Sequence, residues 1–244
     1  MSKLLVQLLL VGGVFVIVLG LSYPIMLSAQ RDEQNNHYPD QLTNEEARAT
    51  RRYTAALAHP DKVDEYLTAG DEMASVYVRQ KRYDEAVDIY QKQLAITWPL
   101  ATNAYNPRYI DVNLKQAGVF RDKSDMKTAL VCYQSALDLD KKYLPGNDLK
   151  IARDLNDIGL THYLKGLSLD KDAERREEFD KAIQNLKAAL DIINQHPESK
   201  GQKATALWNL FLAERDTGNK GAANQFRIQA QTIDDSMHRV CRAP

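Results

Sequence analysis

The sequence predicts an all-α protein, an α-solenoid of stacked helical hairpins preceded by a single hydrophobic helix. Three observations lead there. Residues Leu4 to Leu21 form an apolar run broken only by Gln7. The rest of the chain is rich in Ala, Leu, Lys, Glu, Gln and Asp, with 8 prolines and 11 glycines in 244 residues, a mixture that favours helix. Four segments beyond residue 61 repeat one pattern of small and bulky apolar positions, the mark of a stacked repeat.

The N-terminal run (LLVQLLLVGGVFVIVLGL) carries no charge between Lys3 and Arg31. Eighteen helical residues rise about 27 Å, which is enough to cross a bilayer, and Tyr23 stands where an interfacial aromatic belongs. Residues 4–23 are therefore the expected membrane contact, with 1–29 as the anchor. A cleavable signal peptide is the rival, although its apolar core is shorter and Leu27-Ser28-Ala29 is a poor cleavage site. No cysteine closely follows the run, which excludes a lipoprotein. Lys3 and the amino terminus on one side, against Arg31, Asp32 and Glu33 on the other, favour a cytoplasmic N-terminus. The repeat domain is then expected outside the cytoplasm, periplasmic or extracellular.

Residues 30–42 (QRDEQNNHYPDQL) read as a polar stalk. A leading helix is expected over 43–60, with Thr43 and Glu46 spaced as a capping box and His59-Pro60 as its stop. Over residues 61–240 about four hairpin units follow: Gly70–Leu94, Leu114–Leu137, Leu155–Leu190 and Leu207–Ala230. A charged insertion near 168–178 (SLDKDAERREE) is expected to lengthen both helices of the third unit.

These units resemble the tetratricopeptide repeat (TPR). The second helix matches in Ala86/Tyr90, Ala129/Tyr133/Ala136 and Ala182/Leu186/Ala189. The small position of the first helix matches at Ala74, Gly118 and Gly159. In the fourth unit Ala223 and Ala230 fit but Arg227 takes the aromatic slot, which suits a terminal unit with a solvated outer face. The spacing (Gly118 to Gly159, 41 residues; Ala86 to Ala129, 43) exceeds the usual period of about 34 and is similar to the long repeats of kinesin light chains. The resemblance implies a right-handed solenoid whose A helices line a concave groove that binds peptides. In the register of Gly118 and Gly159, the groove candidates are Lys115, Val119, Arg153, Asn156, Leu160, Tyr163, Trp208, Asn209, Leu212 and Arg215. Asparagines there can hold an extended peptide backbone, and the cations favour an acidic or C-terminal carboxylate ligand. Trp208 is expected to be partly packed on the last helix. The lysine–asparagine spacing of the chaperone carboxylate clamp does not occur at these positions.

Nothing points to catalysis. The five histidines (37, 59, 162, 196, 238) are scattered, and no His-Glu-x-x-His, phosphate loop or nucleophile elbow occurs. His162 reads as a hydrogen-bonded seam residue. Asp138-Leu139-Asp140 lacks the rest of a calcium loop and reads as a solvated helix end. Cys132 falls in an apolar stripe and reads as a small buried hydrophobe; a bridge to Cys241 stays open. Lys plus Arg (32) nearly balance Asp plus Glu (33), which argues against bulk nucleic-acid binding but leaves room for a local basic patch. The expectations are a protein or peptide partner of unknown identity, no cofactor and no metal. A homo-oligomer or a structural, assembly role is the alternative.

Overall fold

A computed structural model describes residues 44–59, 61–98 and 105–240, the last six of these by backbone alone. The expected anchor and stalk, Thr43, Pro60 and Cys241 lie outside the described residues. Among the described residues no helix is long and apolar enough to cross a membrane.

The chain divides into two compact units, one ending at His59 and the other beginning at Pro60. In the first, helix α1 covers 44–57 and closes on a turn in which the amides of Ala58 and His59 donate to Ala55 and Ala56. The second is an all-helical solenoid. Its helices are α2 (Val63–Arg79), α3 (Tyr83–Thr97), α4 (Pro107–Asp122), α5 (Met126–Tyr143), α6 (Leu149–Leu167), α7 (Asp172–Ile193), α8 (Lys200–Asp216) and α9 (Lys220–Val240). Consecutive pairs form hairpins, so α2, α4, α6 and α8 are the A helices and their successors the B helices.

Local chemistry sets the starts. Asn106 accepts from the amides of Arg108 and Tyr109, with Pro107 at the first helical position of α4. Asp125 caps α5 through the Thr128 amide, and Asp148 caps α6 through the Lys150 amide. Each cap satisfies amides that a helix start leaves open.

Three hairpins turn in one way. Lys81, Ser124 and Gly218 are the middle residues of three-residue turns, and all three have positive φ (59°, 67° and 86°). After each, the next amide reaches back five residues: Arg82 to Tyr77, Asp125 to Phe120 and Asn219 to Glu214. This is a Schellman closure, built with glycine only in the last unit. The third hairpin differs. Its helices are longer, 19 and 22 residues, and Asp172 to Glu178 form the first two turns of α7.

Small residues bring the helices together. Ala74, Ala117, Ala86, Ala129, Ala136, Ala182, Leu186 and Ala189 are all fully buried. A Cβ on Gly159 would lie 2.7 Å from Leu186 Cγ and 3.1 Å from the Ala182 carbonyl oxygen. Gly159 and Ala182 thus form the expected seam. The register of the second unit needs correction. Gly118 is partly exposed, and a Cβ there would meet only the Tyr133 hydroxyl at 3.6 Å. Ala117, one residue earlier, is the packing residue. The turn fixes this, because Ala117 and Ala74 each stand five residues before their helix ends. In the last unit Phe226, rather than residue 227, packs with Ile233 against the core, while Arg227 bonds to Asn224 and Gln231.

Candidate functional site

The A helices carry the candidate surface. Counted from Ala74, Ala117, Gly159 and Phe211, a polar side chain recurs two residues earlier, at Glu72, Lys115, Asp157 and Asn209, and in the first and third units three residues earlier as well, at Asp71 and Asn156. They are tied between neighbours. Lys115 Nζ donates to Asp71 at 2.6 Å, Asn209 Nδ2 donates to Asn156 Oδ1 at 3.0 Å, and Asp157 pairs with Arg121 at 3.8 Å. Burial raises Asp71, and Lys115 opposes that shift. Much of this A-helix face is therefore a ladder of contacts between A helices.

The predicted residues divide accordingly. Lys115 is held between Asp71 and Asp111. Val119 does not face the groove; it is buried in the core. Tyr163 is buried as well, and its hydroxyl donates to Asp216 at 2.8 Å. Leu160 and Leu212 are partly buried against the core. Trp208 donates to Asp234 Oδ2 on the last helix at 3.0 Å, as its expected packing required, and its ring meets Phe211 edge-on. Arg215 lies over the Phe211 ring and pairs with Asp216 at 2.6 Å.

Of the ten, Arg153 and Asn156 line a half-open cavity. This cavity of about 280 Å³ lies between the first halves of α6 and α8, lined by Ala152, Arg153, Asn156, Ile193, Gly201, Gln202 and Thr205. Its floor is apolar and its rim polar, the composition of a site that fixes a ligand by a few directed bonds. Gln202 and Thr205 are exposed and were not singled out from sequence, because the fourth unit lacks a small residue at Phe211 to set its register.

A second depression of about 750 Å³ lies on the α5 side, with Trp98, Tyr109, Val131, Gln134 and Lys142 among its lining. Trp98 and Val131 are exposed there, 57% and 64%.

Two further polar clusters sit at seams. His162 Nδ1 lies 2.6 Å from Glu178 Oε2, and Lys165 donates to Glu178 Oε1 at 2.9 Å. Burial works against the charged Glu178, but these bonds hold it down at about 2. The seam reading of His162 matches this geometry. The reading of Asp138–Asp140 as a solvated end does not. Asp138 is exposed but Asp140 is fully buried, accepting from the Tyr105 hydroxyl at 3.0 Å. Cys132 is a half-buried free thiol packed on the core, and burial raises it. Among the described residues, no three His, Cys, Asp or Glu side chains gather as a metal site would need.

Comparison with known proteins fits this geometry. Residues 71–99, the α2–α3 hairpin, match the family described as Tetratricopeptide repeat. The fold is a TPR-like solenoid. Kinesin-light-chain-type TPR-like repeats from Podosopora anserina are similar, with 14% identity and a TM-score of 0.56 over 82% of this chain and 98% of theirs. A Rap protein complexed with Competence and Sporulation Factor has 18% identity and a TM-score of 0.59. That match covers 83% of this chain and 54% of the Rap chain. MamA has 16% identity and a TM-score of 0.50 over 78% of this chain and 88% of its own. At these identities the TPR-like solenoids share a fold. No curated protein matches the sequence.

Proposed function

We propose that this chain is a membrane-tethered TPR-like scaffold that recruits a protein or peptide through its A helices, at the α6–α8 cavity. The observation that carries the reading is the cavity itself. Elsewhere on the A-helix face Lys115, Asp71, Asp157 and Trp208 spend their polar atoms on one another or on neighbouring helices. Between α6 and α8, Arg153 and Asn156 are likewise tied, to Asp154 and to Asn209, but with Gln202 and Thr205 they surround an apolar floor open to a ligand. The Gln202 amide can hold an extended backbone, since it donates and accepts. The Rap structure, a similar solenoid, is a complex, which lends support by analogy of fold.

The tether rests on residues 4–23. Their length and lack of charge suit an uncleaved span, with the amino terminus in the cytoplasm and the repeats outside it. The role is that of a binding module rather than a catalyst. A second reading, an assembly surface, is favoured by the exposed Trp98 and Val131 around the larger depression, since exposed apolar patches mark contact sites.

Selection of displayed peptides against the full chain in detergent tests the first reading. Selected peptides should lose at least about tenfold in affinity, some 1.4 kcal/mol, on Asn156→Ala or Thr205→Arg, and be indifferent to Val131→Ala. The opposite ranking would transfer the function to the α5 side.

A further inference from the structure

Two buried carboxyl groups meet where α5 packs on α6. Asp140 and Asp154 are both fully inaccessible. Asp140 Oδ1 accepts from Tyr105, and Asp154 Oδ1 accepts from Arg153 Nε and Nη2 at 3.3 and 3.2 Å. The other oxygen of each, Oδ2, has no donor among the described residues. Both carboxyl groups face the guanidinium of Arg153, whose Nη2 lies 3.2 Å from Asp154 Oδ1 and 3.9 Å from Asp140 Oδ2. Burial and the neighbouring like charge both work against a second ionisation, so the pair keeps one proton between its two carboxyl groups. Burial raises Asp154 to about 7; Arg153 opposes the shift and Asp140 reinforces it.

Arg153 joins this pair to the cavity. Its Nη2 lies 3.9 Å from Asp140 Oδ2, its side chain is 39% exposed, and it lines the α6–α8 space. The other charged groups nearby are accounted for. Lys150 donates to the Tyr105 hydroxyl at 3.1 Å, and Asp157 pairs with Arg121. The cavity residues from α7 and α8, Ile193, Gly201, Gln202 and Thr205, carry no charge.

We propose that the Asp140–Asp154 pair is a proton-operated control on Arg153, so that the α6–α8 cavity holds a carboxylate ligand while the pair keeps its shared proton and releases it when the proton leaves. The inference deepens the reading of that cavity as the partner site and rests on it. With the proton in place, the pair carries one negative charge and Arg153 cancels it. Without it, two negative charges face one guanidinium, which is drawn inward, and an incoming carboxylate meets net negative charge. For a half-exposed arginine the effect on affinity is about three- to thirtyfold. Linkage makes the coupling mutual, so a bound carboxylate must raise the titration midpoint of the pair by the same factor.

A side-chain carboxylate and a chain terminus offer the same chemistry, and three short peptides separate them. They are acetyl-Ala-Ala-Ala with a free carboxyl end, acetyl-Ala-Glu-Ala-amide, and uncharged acetyl-Ala-Ala-Ala-amide. Each is titrated into the full chain in detergent at pH 5.5 and pH 8, following the Arg153 Nε–H resonance. The expected result is saturable binding of at least one carboxylate peptide, three- to thirtyfold tighter at pH 5.5. Asp154→Asn, permanently neutral, should keep the acid affinity at both pH values. If that variant misfolds, the wild-type Asp154 carboxyl carbon resonance suffices, because its midpoint must rise when the peptide is added. Equal affinity at both pH values overturns proton control but leaves the cavity as a site. Equal binding of the uncharged peptide overturns the carboxylate class. No saturable shift with any peptide removes the cavity altogether.

Discussion

Gln93 fills the space that Gly70 leaves. In α3, Gln93 stands where the later B helices have Ala136, Ala189 and Ala230, and it is fully buried. Its Nε2 donates to the Leu67 carbonyl at 2.8 Å, passing over Gly70, and a Cβ at position 70 would overlap the Gln93 amide. The first unit has exchanged a large residue on A and a small one on B for the reverse. Gly70→Ala alone should therefore destabilise by about 1–2 kcal/mol, by displacing a buried amide from its bond. Gly70→Ala combined with Gln93→Ala should lose less than the sum of the two singles. A double-mutant cycle in urea measures this coupling, and strict additivity would refute the exchange.

The corrected register separates two glycines that look alike. Gly159→Ala should cost about 1–3 kcal/mol, because its Cβ would strike Leu186 and the Ala182 backbone. Gly118→Ala should be neutral or stabilising by up to about 1 kcal/mol, since it removes a flexible residue from a helix interior without a clash. Thermal melts should show a clear fall for Gly159→Ala and no fall for Gly118→Ala. A comparable fall in both would restore Gly118 as the packing residue.

The repeated turns give a stability lever. Lys81 and Ser124 sit in left-handed backbone, which costs a residue with a side chain about 1 kcal/mol. Lys81→Gly and Ser124→Gly should each raise the denaturation midpoint by about 0.5–1 kcal/mol equivalent, and Gly218→Ala should lower it by a similar amount. Stabilisation by neither glycine would mean that the turns are not closed in this way.

The pH dependence has a definite sign. The folded state raises Asp154 to about 7, well above its ordinary value. It therefore binds more protons than the unfolded chain between about pH 4 and 7, and the stabilisation it contributes is lost as pH rises through 7. Urea unfolding should show the wild type losing on the order of 2 kcal/mol between pH 5 and pH 8 relative to Asp154→Asn. Glu178 acts oppositely. Held at about 2, it stabilises above pH 4.5 and loses that contribution only as the pH falls towards 2. Parallel pH curves for wild type and Asp154→Asn would show that Asp154 does not titrate in this window.

Those residues also show what could be read from sequence. The alanine and tyrosine stripes of Ala86/Tyr90, Ala129/Tyr133/Ala136 and Ala182/Leu186/Ala189 were legible because burial on one helical face leaves a period in the chain. The second unit slipped by one because Ala117 and Gly118 are adjacent small residues, and only the turn geometry separates them. The left-handed turns at Lys81 and Ser124 carry no glycine to announce them. The partners that tie several groove candidates were illegible for another reason. Lys115 meets Asp71, Asn156 meets Asn209, and Tyr163 meets Asp216 across 44, 53 and 53 residues. Pairings at that range leave no local pattern. The same holds for Asp140 and Asp154, whose burial follows from α5 packing on α6.

The account's central claim is that a partner engages the A-helix face between α6 and α8. Site-specific photo-cross-linking in the producing cell tests it most directly, with benzoylphenylalanine placed at Thr205 or, separately, at Val131. Both positions are exposed, so both probes are accessible. The account predicts a discrete partner adduct from Thr205 that disappears with Asn156→Ala, and none from Val131. A discrete adduct from Val131 with none from Thr205 would contradict it and move the working surface to the B helices.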